Sequence, residues 1–325
     1  MADCHDLFKR FNDILKLTDS RKEELRVSRN SLRKKIRNYF KEEKPEEIMP
    51  KFEGQGSFIT DTIINPKQID DKIEYDIDDG IYFIGKEDPD ERKTIDTYHN
   101  WIFEAVKNHT DILPIRKDTC IRVIFSDGHH IDLPIYYLQK DKPELAHKRD
   151  GWILSDPREF CIWFNNKVKE NQQLRRIVRY MKGWCDWINY KDSNYKMPSG
   201  LIITILATTN SKYNDRDDVG FSYTLQNIKI ELDKKFRCER PTTPEGENLF
   251  ENYSEERKEF FTEKLSDIIL SSKEALNCKN QYEACIKWKK HLGDRFPCHL
   301  AEDKIEEGYK TYTEPAIITR NARSG

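Results

Sequence analysis

Two hydrophobic rhythms divide this chain. Leu7, Phe8, Phe11, Ile14 and Leu15 fall at helical spacing, and Leu25, Leu32, Ile36 and Phe40 continue it, so residues 5–42 read as helix. Ser20 and Glu23 fit a capping box between the two halves. Lys44-Pro45 and Met49-Pro50 end the pattern. From Phe52 the texture becomes short β-branched and aromatic runs punctuated by Gly, Asp and Pro. Ile73–Phe83, Ile121–Phe125 and Ile131–Tyr137 read as strands, with an Asp127-Gly128 hairpin turn joining the last two. Thr94–Asn108 reads as helix. The second half returns to helical rhythm at Phe160–Phe164, Leu174–Trp187, Leu201–Ala207, Glu255–Cys278 and Gln281–Leu292. Residues 210–222 read as a polar loop, and Arg240-Pro241 to Glu245-Gly246 as a break.

The pattern predicts an α+β chain with a mixed sheet and a helical second lobe. The expected division is a lobe at 1–160 that includes the N-terminal helix, a helical lobe at 161–315, and a mobile tail at 316–325. Lys and Arg total 56 against 58 Asp and Glu, which argues against a bulk polyanion binder or a template-gripping groove. No apolar run reaches the roughly 18 residues of a membrane span, and MADCHDLFKR has no signal core, so a cytoplasmic protein is expected. The eight cysteines then read as reduced thiols. Cys278, Cys285, Cys298 and His299 match no standard zinc spacing, and buried thiols are the plainer reading.

Chemistry concentrates in three short stretches. Gly54-Gln55-Gly56-Ser57-Phe58 offers a glycine turn where backbone and a hydroxyl can approach phosphate. Asp76 and Asp78 are i and i+2 on a strand, so both carboxylates share one face and suit a hard cation such as Mg²⁺. Asp79 points the other way and reads as a turn residue before Gly80. Asp132, in His130-Ile131-Asp132-Leu133-Pro134, is an acid among apolar neighbours, costly unless paired or metal-bound. His130 shares its face, although a surface histidine is the plain reading. Three such carboxylates can hold two metals that align a hydroxyl with an α-phosphate, with Asp132 as proton acceptor.

GS, then DxD, then a third Asp resembles the nucleotidyltransferase fold of DNA polymerase β. GQGSF, YDIDDGIYF and HIDLPIYY look very like the bacterial branch of the cGAS/DncV-like nucleotidyltransferases (CD-NTases), and RRIVRYMKGWCDW, MPSGLIITILAT and IKWKKHLGDRFP extend the likeness more loosely. The resemblance implies a bilobed fold and template-independent synthesis of a cyclic di- or oligonucleotide from ATP and/or GTP in anti-phage (CBASS) signalling. It implies catalytic, metal-binding roles for Asp76, Asp78 and Asp132 with two Mg²⁺ or Mn²⁺ ions. It further implies nucleotide contacts from Gln55, Gly56, Ser57, Lys182, Ser199 and Arg122, and a base-recognition loop at Pro241–Asn248 that includes Glu247. A solvated Lys182, a helix-capping Ser199 and an ion-paired Arg122 are the bland alternatives. A non-cyclising transferase acting on RNA, protein or a small molecule, and a silent nucleotide sensor, are the rival functions. A ubiquitin-ligase-like partner at the C-terminal Gly325, and an effector reached only through the product, are the partners the resemblance suggests; neither a membrane nor a nucleic-acid template is expected.

Overall fold

A computed structural model describes residues 2–67, 75–85, 92–192 and 194–302. The proposed tail, Gly325 and the start of the strand at Ile73 lie outside them. Within them the chain forms an α+β architecture of a mixed seven-stranded sheet, helices flanking it, and a helical bundle.

The helical N-terminus is two helices, α1 (His5–Leu15) and α2 (Asp19–Glu43). The cap of α2 is Thr18, whose hydroxyl accepts from the Arg21 amide at 3.2 Å; Ser20 lies inside the first turn, so the expected capping box is displaced. Next come β1 (Lys51–Gln55), the single turn α3 (Gly56–Ile59), β2 (Asp76–Ile84) and α4 (Ile95–Val106). They are followed by β3 (Ile115–Arg116), β4 (Cys120–Ile124), β5 (His130–Gln139), β6 (Lys142–His147) and β7 (Gly151–Leu154). The strand order is β1-β2-β5-β4-β3, with β6 and then β7 continuing from β5. Among the described residues only the β2–β5 pair is parallel, and the predicted β4–β5 hairpin is present.

Alternation divides the two central strands. Ile77, Ile81 and Phe83 of β2 and Ile131, Leu133, Ile135 and Tyr137 of β5 pack under α2 and α4 in one apolar core. Asp79 shares that face. It is fully buried and not a turn residue, because Arg33 of α2 donates to it from Nε at 2.7 Å. The opposite face of the same strands carries Asp76, Asp78, Asp132 and Tyr136.

The second core belongs to α5 (Pro157–Glu170), α6 (Leu174–Lys191), α7 (Gly200–Asn210), α8 (Asp217–Lys234), α9 (Glu255–Asn277) and α10 (Gln281–Leu292). It also takes in α1. Phe8 packs its ring 5.1 Å from Tyr180, 4.9 Å from Trp288 and 5.1 Å from Phe296. The first helix therefore shares its core with the helical half rather than with the sheet. Helix α8 begins inside the stretch expected to be loop. Its polar Asp217 is fully buried and accepts from Arg176 at 2.6 Å and from the Tyr180 hydroxyl at 2.6 Å, a partnership invisible to hydrophobic periodicity. Cys285 of α10 and Cys298 are joined by a disulfide, their Cα atoms 5.6 Å apart, which corrects the expectation of free thiols throughout and removes two members of any zinc set. The other six cysteines are free. Among the described residues no helix is long and apolar enough to cross a membrane.

The Arg33–Asp79 pair predicts a stability effect. Arg33→Ala leaves a buried carboxylate unpaired and should lower the unfolding free energy by about 3–5 kcal/mol, read from denaturant titration. A loss below about 1 kcal/mol would mean that this pair does not clamp α2 to the sheet.

Candidate active site

The cleft is built where three chain segments converge. Parallel pairing of β2 and β5 sets Asp76 beside His130 and Asp78 beside Asp132. Antiparallel pairing of β1 with β2 sets Gln55 beside Asp78, so the chain leaves β1 at the acidic strand. Gly56 then turns it into α3 with φ +69, a region costly for side chains. A Cβ there would lie 2.3 Å from Asp78 Oδ2, so only glycine admits the carboxylate. The resulting cleft, about 380 Å³, is lined by Gly56, Ser57, Asp76, Asp78, Lys182 and Arg240 among others.

The three carboxylates are held differently. Asp132 is buried and accepts from Arg122 Nε at 2.6 Å and Nη2 at 2.7 Å, and from Lys117 at 3.4 Å. Burial opposes its ionisation, yet the Arg122 guanidinium outweighs burial and holds its pKa below the usual carboxylate range. Among the described residues, no guanidinium or ammonium donates a hydrogen bond to Asp76 or Asp78. Partial desolvation in the cleft first raises both pKa values, although the Asp76 side chain is 52% exposed; the negative charge of Asp132 adds at Asp76, and those of Asp76 and Asp132 at Asp78. That is a site with excess negative charge on one wall. Ligand atoms of Asp76, His130 and Asp132 all lie within 4.8 Å of one another, which suits a divalent cation.

The opposite wall is helix α6. Lys182 is not a solvated lysine: its Nζ donates to Thr62 O and Oγ1, both at 3.2 Å, and lines the cleft. Burial first, then the charge of Arg179, lowers its pKa to about 8. One helical stripe does more. Arg175 donates to Thr60 O at 3.1 Å, Arg179 to Asp61 Oδ2 at 2.9 Å, and Asp186 accepts from the Lys67 amide at 2.8 Å. Spacings of four, three and four residues place these side chains with Lys182 along one face of α6, against the segment that follows Ser57.

The other expected contacts separate. Gln55 is buried and donates to the Tyr136 hydroxyl at 3.1 Å, so its amide braces the cleft wall. Tyr136 stacks on Tyr82 with ring centroids 4.7 Å apart, and Tyr137 lies in the sheet core, so both tyrosines are internal. Ser57 lines the cleft. Ser199 caps α7, accepting from the Ile202 amide at 3.4 Å, and is absent from the cleft lining. Arg122 is committed to Asp132. Glu247 accepts from Arg240 Nε at 2.6 Å, and it is Arg240 that reaches the cleft. His130 is no surface histidine: it is buried, with Nε2 3.4 Å from Asp76 Oδ1. Lys117, Thr62 and Arg240 carried no signal in the sequence, and Arg175, Arg179 and Asp186 were not singled out either, although their helical spacing with Lys182 is a signal that could have found them.

The crowding of charge predicts a trade of stability against function. Asp78→Asn removes a half-buried negative charge and should raise the melting temperature of the metal-free protein near pH 8, by about 2–4 °C for each kcal/mol of repulsion relieved. A raised carboxylate pKa in the folded state makes wild-type stability fall as pH rises from the ordinary carboxylate value, so the advantage of the variant should vanish near pH 4. Melting curves across pH test this; an advantage independent of pH would refute the charge explanation.

Comparison with known proteins agrees with this geometry. Residues 50–136 match the family described as "Cyclic GMP-AMP synthase DncV-like, nucleotidyltransferase domain". A cyclic GMP-AMP synthase of Escherichia albertii is 30% identical over 58% of this chain, and one of Vibrio cholerae 27% identical over 76%. This chain spans 43% of the first relative's length and 68% of the second's. The crystal structure of Vibrio cholerae DncV, a cyclic AMP-GMP synthase, superposes with a TM-score of 0.74 at 21% identity, covering 91% of this chain and 98% of that one. The same enzyme in complex with the linear intermediate 5′ pppA(3′,5′)pG gives 0.75 at 22% identity, with the same coverage. The segment that carries β1, the glycine turn and both acidic strands is thus the part of the chain that matches the DncV-like nucleotidyltransferase domain.

Proposed function

We propose that this protein joins ribonucleoside triphosphates, ATP and/or GTP, into a cyclic di- or oligonucleotide and releases pyrophosphate, as a second messenger in anti-phage defence. The observation that carries this is the register of β2 and β5, which sets an acidic wall beside the glycine turn and across from Lys182 in one cleft. The Vibrio cholerae enzyme whose fold is shared has been captured with ATP and GTP and with a linear dinucleotide. Several curated relatives are named as cyclic GMP-AMP synthases.

Asp76, Asp78 and Asp132 would hold divalent cations, Mg²⁺ or Mn²⁺ and two in number, which neutralise phosphate charge and activate the attacking oxygen. The chain's own groups do the rest. Ser57, at the start of α3, offers its hydroxyl and backbone to the terminal phosphates. Lys182 adds a positive charge from the facing helix, and its contacts with Thr62 hold it in place while the cleft is empty. Asp132, kept ionised by Arg122, can orient the ribose hydroxyl and accept its hydrogen bond at the moment of attack. The α6 stripe fixes the segment behind Ser57, so that the triphosphate and the acceptor hydroxyl meet without a search for geometry. Arg240 also lines the cleft and adds a second positive charge there.

Three measurements test the proposal. Purified protein given labelled ATP and GTP with Mg²⁺ or Mn²⁺, and no acceptor, should yield a phosphatase-resistant product; products formed only when RNA or another acceptor is added would overturn cyclisation. Asp76→Asn and Asp132→Asn should each lower turnover by at least about a hundredfold, the scale of losing one transition-state-stabilising group. Lys182→Ala should raise KM for the triphosphate by roughly ten- to a hundredfold, the worth of one charge-assisted contact. Unaltered KM would place Lys182 in the structural junction alone.

A further inference from the structure

Three carboxylates account for the metal chemistry proposed above, and none of that reading uses the imidazole beside them. His130 opens β5 two residues before Asp132, so the two side chains share a face. Across the parallel pair its register partner is Asp76. The His130 side chain is only 10% exposed, and its Nε2 lies 3.4 Å from Asp76 Oδ1.

The distances suit a single shared ion. Two donors on opposite sides of a divalent ion, each bonded at about 2.1–2.2 Å, stand about 4.2–4.4 Å apart, and donors at right angles stand closer. The Asp76, His130 and Asp132 donor atoms all fall within 4.8 Å of one another, so small rotations close the shell. Asp78 is placed differently, its carboxylate against Gly56. The bidentate bond from Arg122 does not exhaust Asp132, because a carboxylate offers about four acceptor directions.

We propose that His130 is a ligand of the cation held by Asp76 and Asp132. The site then presents a nitrogen beside oxygens. Mg²⁺ prefers an all-oxygen shell and keeps its waters, whereas imidazole suits first-row ions such as Fe²⁺, Ni²⁺, Cu²⁺ and Zn²⁺, with paramagnetic Mn²⁺ the weakest-binding member of that row and a usable probe of it. One of the cation positions in this protein is therefore selective for a first-row transition metal. The inference rests on Asp76 and Asp132 being metal ligands, and the experiment separates failure of that reading from failure of this one.

The full-length protein, grown with ¹⁵N-labelled histidine, is titrated with Mn²⁺ alone and followed by electron spin resonance. Pulsed measurements should show a ¹⁵N coupling to the bound ion. His130→Gln should abolish that coupling and weaken Mn²⁺ binding by about tenfold or more, while Mg²⁺ binding changes by less than about twofold. Bound Mn²⁺ with no histidine coupling in the wild-type protein overturns the assignment of His130 and leaves the carboxylate site intact. A coupling that survives in His130→Gln overturns it as well. If Asp76→Asn and Asp132→Asn leave Mn²⁺ binding unaltered, the carboxylate reading itself fails. Should the glutamine variant not fold, the wild-type coupling still decides, because the next histidine, His129, alternates to the other side of β5, where it is held by Asp127.

Discussion

Everything at the cleft follows from one pairing, the parallel register of β2 with β5. A slip of one residue would turn Asp76 and Asp78 into the apolar core and expose Ile77 and Ile81. The register is held from the other face. There Ile77, Ile81 and Phe83 meet Ile131, Leu133 and Ile135 beneath α2 and α4, and Arg33 anchors Asp79 among them. Burial of the apolar face supplies the free energy that keeps like charges together on the acidic one. The sheet thus has a stable side and a strained side, and the strained side is where the chemistry is proposed.

Strain of this kind needs neutralising groups close by, and their unequal distribution gives the three acids different characters. Asp132 has a guanidinium and an ammonium within reach, and is held ionised. Asp76 and Asp78 have each other, the charge of Asp132, and the imidazole of His130. The carboxylate of Asp78 sits against the turn at Gly56, so positive charge arriving with a metal–triphosphate complex would settle where the repulsion is greatest. Electrostatic preorganisation for that ligand is the same feature that destabilises the empty site.

The two cores communicate through a narrow set of polar contacts. Residues 175, 179, 182 and 186 of α6 touch the segment running from Thr60 to Lys67, on the far side of the glycine turn from β1. Asp61, with φ +52, is held there by Lys22 of α2 and by Arg179 of α6 together. The segment between the cores is therefore fixed from both, and the junction that binds the lobes is also the junction that aims Ser57 and Lys182 into the cleft.

Local pattern alone determined most of the elements. Helical spacing marked α1, α2, α4, α6, α9 and α10, and the Asp-Gly turn marked the β4–β5 hairpin, because each signal depends on residues within a few positions of one another. The order Gly-Ser, Asp-x-Asp, Asp likewise announced the acidic wall before any coordinates, since the face of a strand residue follows from its parity. Partners distant in sequence could not be read this way. Nothing near Asp217 names Arg176, nothing near Asp79 names Arg33, and so one acid was read as loop and the other as turn. Cys285 and Cys298 became a pair, Arg122 became the keeper of Asp132, and His130 came to lie beside Asp76 only when strands and helices closed on one another. The cost of burying a charge or a thiol is set by what the fold brings against it, and a linear pattern holds the residue but not its neighbour.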